Sequence, residues 1–191
     1  MSPRTAGALV VGFALIVAAC SSSQTLDEYA DALSTQTDAY VVESQNLSYD
    51  FQSEVEDGTR DVLAAGSEDP EAEVLVLFRE GTVAYLALLG DAMLRYRTSL
   101  EELMPPGDVA EQHAAFLAAV VAVSDAIPEA KVAVEGATSL DDVQRALTAS
   151  GFADGQPRWT GTCQTLEAAV VDAGRAMNLR CVRPTDAGGG P

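Results

Sequence analysis

The side chains best placed for covalent chemistry in this chain are its three cysteines, Cys20, Cys163 and Cys181. A thiol can be alkylated or oxidised to a disulfide, and its position in the chain favours one outcome or the other. Cys20 directly follows an apolar run, Ala6 to Ala19, whereas the other two cysteines stand near the opposite end of the chain. We therefore expect Cys20 to undergo a different covalent modification from Cys163 and Cys181.

The segment before Cys20 has the composition of an export signal. Its apolar run of about 14 residues is shorter than the roughly 20 residues of a transmembrane helix. Arg4 precedes the run and small residues end it, as in a signal peptide. The sequence Val17-Ala18-Ala19-Cys20, followed by serines, resembles the lipobox of bacterial lipoproteins. An uncleaved membrane helix and an ordinary signal peptide are the alternatives.

The lipobox resemblance implies how the protein is held and where. Residues 1–19 would be removed as the signal peptide, and Cys20 would carry a thioether-linked diacylglycerol and usually an N-acyl chain. At about 0.8 kcal/mol for each buried methylene, two or three acyl chains give stable anchoring. Residues 20–24 then form the lipidated cysteine and a short polar tether. The implied location is the cell membrane, with the protein lipid-anchored on the extracytoplasmic side.

Cys163 and Cys181 favour a disulfide, because exported proteins mature in oxidising surroundings. One straight helix over this stretch would hold the two residues about 27 Å apart, whereas a disulfide needs α-carbons within about 7 Å. We therefore predict a helix from Gln164 to about Ala173, a left-handed stop at Gly174, and an extended return that brings the cysteines together. Two free thiols are the alternative.

His113 is the only histidine, which limits the catalytic and metal chemistry open to the chain. A histidine metal site normally needs a second nitrogen or sulfur ligand, or carboxylates at matched spacing. The sequence contains neither His-Glu-x-x-His nor the Glu-x-x-His pair of di-iron bundles. Gly-x-Ser-x-Gly and glycine-rich phosphate loops are also missing from the sequence. We predict that His113 lies on a helix surface or forms an interhelix hydrogen bond, and that the protein is not an enzyme and has no cofactor.

The chain is strongly acidic, with a formal net charge of −18. Such a charge argues against nucleic-acid binding, which needs a basic surface, and against docking on anionic lipid headgroups. Residues 158–183 form the locally basic exception. Carboxylates on an exposed helix face usually stay solvated, and no calcium-loop motif occurs, so no metal site is predicted. Cation binding stays open through two acidic groups in the N-terminal half: Glu54, Glu56, Asp57 and Asp61, and then Glu68, Asp69, Glu71 and Glu73.

Alanine, leucine and glutamate dominate the rest of the chain, and glycine and proline clusters divide it into helical segments. We predict helices over residues 25–65, 70–103, 109–127 and 140–149, with Pro128 ending or kinking the third and residues 129–135 as a further helical stretch. Residues 151–162, which contain Trp159, are predicted to form a loop. The predicted N-caps are Thr25 or Ser23, and then Asp69, Asp108 and Ser139.

Short turns between long helices predict an all-α, antiparallel bundle of about four main helices, closed by the disulfide-linked C-terminal segment. The single domain covers residues 25–183, and residues 184–191 are predicted to be a disordered tail. The turn at 103–106, Leu-Met-Pro-Pro, resembles turns of uncharacterised actinobacterial helical lipoproteins.

We expect a membrane-anchored binding or interaction module whose partner is an envelope protein with a basic surface, or a small ligand between helices. The alternatives are a cation-binding lipoprotein and, third, an enzyme of unfamiliar type. The oligomeric state stays open.

Overall fold

The computed structural model describes residues 23–181, apart from the side chains of residues 153, 154 and 156. Within this range the chain forms five helices: α1 (Leu26–Ala65), α2 (Pro70–Glu101), α3 (Ala110–Glu135), α4 (Leu140–Ala149) and α5 (Phe152–Asp172). The prediction of an all-α bundle is confirmed. The predicted anchor at Cys20 and the predicted tail at 184–191 lie outside the described residues.

The four long helices pack antiparallel, and short turns connect α1 to α2 and α2 to α3. Tyr40 stacks on Tyr96 with ring centroids 4.7 Å apart, and Phe51 stacks on Tyr85 at 5.2 Å. Since later positions of α1 meet earlier positions of α2, the two helices run in opposite directions. α3 packs against both α2 and α5, and the short α4 contacts α2, α3 and α5.

The helix starts follow from their capping residues. Thr25 forms a capping box with Glu28, in which each side chain accepts from the other residue's backbone N–H. Asp69 caps α2 ahead of Pro70, and Ser139 caps α4, both as predicted. α1 runs for 40 residues, about 60 Å, without interruption.

The predicted N-cap of α3 is wrong, and of the two outcomes predicted for Pro128, ending or kinking the helix, the first does not occur. Its N-cap is Val109 rather than Asp108, because Val109 is fully buried in the core and continues the preceding turn through a bond from its N–H to the Pro106 carbonyl. Pro128 lies inside the helix, which continues to Glu135, so the predicted helical stretch over residues 129–135 is confirmed as part of α3. Pro128 is exposed, so water can reach the carbonyl of Ser124 that loses its intrahelical donor.

The predicted loop at 151–162 is also wrong, because α5 already begins at Phe152. Gly155 lets the helix approach α3 closely, since a β-carbon there would lie 2.7 Å from Cγ2 of Val123. Trp159 then packs against the rings of Tyr40 and Tyr96, at centroid distances of 5.4 and 5.9 Å. Packing against two neighbouring helices therefore outweighs the poor helix propensity of the local glycine and proline.

The C-terminal hairpin has the predicted form. α5 ends at Asp172, Gly174 adopts a left-handed φ of 103°, and the chain returns without further helix. Cys163 and Cys181 are joined by a disulfide with α-carbons 5.6 Å apart. The return segment is anchored by Leu179, which is buried in the core.

Burial along α1 is uneven. Its buried residues all lie between Tyr29 and Ser44, and its second half packs on α2 with half-buried side chains such as Phe51 and Val55. The end of the bundle at the α1–α2 turn is therefore less fully covered than the end where α1 begins.

None of the helices within residues 23–181 combines the length and apolar character that crossing a membrane requires.

Candidate functional site

A groove opens at the end of the bundle formed by the α1–α2 turn. It has a volume of about 860 Å³ and lies between the end of α1, the start of α2 and the start of α4. Its lining includes four large apolar side chains, which we call the floor, and three carboxylates, which we call the rim: Leu63, Val74, Leu75 and Leu140, and then Asp69, Glu71 and Asp141. We name this feature the tip groove.

Local sequence shapes the turn beside the tip groove. Gly66 ends α1 in the left-handed conformation, with φ 67°, which glycine adopts without strain. Ser67 Oγ accepts from the Asp69 N–H at 3.2 Å and donates to Glu73 at 2.6 Å. Asp69 in turn accepts from the N–H of Ala72. These bonds hold the turn and the first residues of α2 in one arrangement.

The apolar floor of the tip groove is open to solvent. Leu63 is 64% exposed and Leu140 is 49% exposed, and they stand on different helices. Val74 and Leu75 between them are half-buried. Large apolar side chains gathered at one exposed concave surface are typical of a binding surface.

The rim of the tip groove is negative. Asp69, Glu71 and Asp141 belong to the caps and first turns of α2 and α4, where carboxylates interact favourably with the helix dipole. Among the described residues that line the groove there is no lysine or arginine. The surface therefore attracts positively charged groups and offers apolar contacts beside them.

The acidic residues considered for cation binding all have exposed side chains. Asp57 pairs with Arg60 at 2.7 Å, and both side chains are exposed. Over residues 23–181 no group of three histidine, cysteine, aspartate or glutamate side chains is arranged to hold a metal ion. The tip groove brings together Asp69 and Glu71 from the second acidic group with Asp141, a residue far along the chain that belongs to neither group.

His113 lies in the core rather than on the surface. Its Nδ1 is 2.9 Å from the hydroxyl of Tyr29, and the ring also interacts with the backbone carbonyl of Leu100. The carbonyl can only accept, so we assign Nδ1 as the acceptor of the Tyr29 O–H. Burial lowers the pKa of His113, which favours the neutral ring. The structure thus gives His113 the interhelix hydrogen bond that was one of its two predicted roles.

The locally basic C-terminal segment pairs with the acidic face of α1. Arg175 lies 2.7 Å from Asp31 and 3.4 Å from Asp27, and Arg180 lies 3.5 Å from Asp38. The hydrogen bond to Asp31, and then the charges of Asp31 and Asp27, raise the pKa of Arg175. The basic segment is evident in the sequence, but its target on α1 was not predicted. Helical spacing, which places Asp27, Asp31 and Asp38 on one face of α1, is the signal that points to it.

A second, smaller groove lies between α2 and α3. Its volume is about 360 Å³, and its lining includes charges of both signs. Arg79 donates to the carbonyl of Ala137 at 3.3 Å, and Lys131 lies 3.9 Å from Glu135. Because its cations have partners within the protein, this groove presents a weaker field than the tip groove.

Comparison of the chain with protein-family models, curated proteins and solved structures finds no match. The site is therefore interpreted from its own geometry and charge.

Proposed function

We propose that this protein is an envelope lipoprotein, held at the cell membrane by acyl chains on Cys20, that acts as a protein-interaction module through the tip groove. The observation that carries the proposal is the pairing of an apolar floor with an acidic rim at the end of the bundle opposite the start of α1. The signal-like segment before Cys20 supports the anchor.

The position of the tip groove fits an anchored protein. α1 begins at Leu26, a few residues after Cys20, so an anchor there holds the bundle by one end. α1 is about 60 Å long, and the groove lies beside its last turn. Anionic headgroups repel the carboxylates Asp69, Glu71 and Asp141 at the groove, which favours an orientation with the groove away from the bilayer.

The chemistry of the tip groove favours a partner with a basic surface. Three rim carboxylates steer lysine and arginine side chains, and exposed leucines supply the apolar contact that holds a bound partner. An envelope protein with a basic surface meets both requirements. A partner with an acidic surface does not meet the first requirement, because like charges across an interface weaken binding.

The anchor is tested by replacing Cys20 with serine in cells fed radiolabelled palmitate. We expect the substituted protein to lose the label and to leave the membrane fraction, because no thiol is present to form the thioether. A Ser22→Ala variant, which alters a neighbouring residue of similar size, serves as the control and should keep both. Unchanged labelling and fractionation of the Cys20→Ser variant would contradict the anchor.

The interaction role is tested in the same cells with a photoreactive amino acid placed, one position at a time, on the anchored full chain. Suitable positions are Leu63 and Leu140 in the tip groove and Tyr49 and Leu94 elsewhere, all with exposed side chains. The proposal predicts a reproducible adduct of fixed mass from at least one position, reduced by Cys20→Ser. The absence of an adduct from every position would exclude an interaction module.

A further inference from the structure

We infer that the occupant of the tip groove is a cationic amphipathic segment of a partner polypeptide, with apolar residues between Leu63 and Leu140 and lysine or arginine on the rim carboxylates. This inference rests on the proposed function and specifies its partner. It is carried by charge complementarity, since the lining residues described above supply carboxylates and no basic side chain.

The dimensions of the tip groove suit several side chains rather than one ion. Its volume of about 860 Å³ falls within the range of sites that enclose small organic ligands. Its floor is formed by side chains from three helices, with Leu63 on α1, Leu75 on α2 and Leu140 on α4. An ion alone would leave these apolar side chains in water, whereas an amphipathic segment covers them and the rim together.

An anionic occupant does not fit, although two helix N-termini open at the tip groove. The side chain of Asp69 accepts from the N–H of Ala72, and the side chain of Ser139 accepts from the N–H of Asp142. These caps use backbone donors that would otherwise bind a phosphate or carboxylate. The rim carboxylates then repel an anion, which leaves a cationic segment as the occupant.

The binding test uses the lipid-anchored full chain on nanodiscs of zwitterionic lipid, so that the membrane itself does not attract the probe. The probe is a short fluorescent peptide in which lysines flank two central leucines, and anisotropy reports binding. We expect saturable binding that weakens as salt is added. Leu63→Ser and Leu140→Ser should each weaken it about tenfold, as for loss of a central apolar contact.

Matched variants separate the tip groove from the general charge of the protein. Glu71→Gln and Asp141→Asn should weaken binding and reduce its salt dependence, while Leu94→Ser and Asp91→Asn, which remove an exposed leucine and an exposed carboxylate elsewhere, should leave affinity unchanged. Equal affinity for all variants would overturn the inference, because it indicates diffuse attraction to the net charge. Equal binding by a twin peptide with serines in place of leucines would overturn it too.

Two further measurements complete the test. Amide chemical shifts of the protein without substitutions should change near residues 63–75 and 138–142 when the peptide is added. Changes confined to other regions would overturn the inference. Spermidine or Mg²⁺ that displaces the peptide at equal charge concentration would assign the groove to small cations instead. Cellular adducts from Tyr49 or Leu94 alone would refute this occupant while leaving the interaction module in place.

Discussion

The hydroxyl of Tyr29 lies 2.9 Å from Nδ1 of His113, which links the first turn of α1 to the first turn of α3 inside the core. The two rings meet edge to face, with centroids 5.6 Å apart. The carbonyl of Leu100, in the last turn of α2, contacts the same imidazole. One neutral histidine therefore ties together the ends of three helices.

This arrangement predicts an acid-sensitive stability. Burial lowers the pKa of His113 in the folded protein, whereas an unfolded histidine titrates near pH 6.5. The unfolded chain thus binds more protons as pH falls below about 6.5, so the free energy of unfolding decreases there and levels off below the folded pKa. Urea titrations that follow the fluorescence of Trp159, the only tryptophan, measure this free energy at each pH.

Replacing His113 separates its contribution to the pH dependence of stability from that of the carboxylates. His113→Gln keeps a polar side chain beside Tyr29 but does not titrate, so it should remove the part of the pH dependence that begins near pH 6.5. Acid destabilisation that is unchanged in this variant would show that other groups cause it.

A second buried hydrogen bond should show the cost of an unpaired polar group. Thr37 Oγ1 and the Tyr96 hydroxyl are 2.9 Å apart, and both residues are buried. Tyr96→Phe should lower the free energy of unfolding by about 1–3 kcal/mol, because it leaves the threonine hydroxyl without its partner. Adding Thr37→Val should recover part of that loss, and Tyr49→Phe, on an exposed side chain, should change nothing. Additive effects of the two core substitutions would argue against this coupling.

Two glycines of α5 should respond to alanine in opposite directions. At Gly155 a β-carbon would lie 2.7 Å from Cγ2 of Val123, whose branched side chain has little room to move. Gly155→Ala should therefore destabilise the protein by about 1–3 kcal/mol through overpacking. A β-carbon added at Gly161 would meet no atom within 4 Å beyond its own turn of helix, so Gly161→Ala should stabilise the protein by up to about 1 kcal/mol through helix propensity. Chemical denaturation checks both, and a neutral Gly155→Ala would contradict the close approach of α5 to α3.

Reduction of the disulfide should destabilise the domain. The bridge joins residues 18 positions apart, and closing such a loop stabilises a fold by about 3 kcal/mol in the chain-entropy model. Denaturation with and without a reducing agent measures the difference. A variant with both Cys163→Ala and Cys181→Ala should not respond to the reductant, and an equal response in both proteins would locate the effect elsewhere.

Local signals predicted several features of the fold correctly. Asp69 before Pro70 placed the start of α2, and Ser139 placed the start of α4, because a cap acts within one turn of its own residue. The same holds for Gly174, whose lack of a side chain permits the left-handed turn that returns Cys181 to Cys163. The function expected from the segment before Cys20 stays a proposal.

The sequence by itself determined most of the helical content, the caps Asp69 and Ser139, and the disulfide, since these depend on propensity, chain geometry and neighbours within a few residues. Only the tertiary structure decided that α5 starts at Phe152, because the contacts of Gly155 and Trp159 with distant helices stabilise a segment of poor propensity. The formation of the tip groove also depends on tertiary structure. Leu63 and Leu140 are far apart in the chain, and no local pattern shows that packing brings them to one surface.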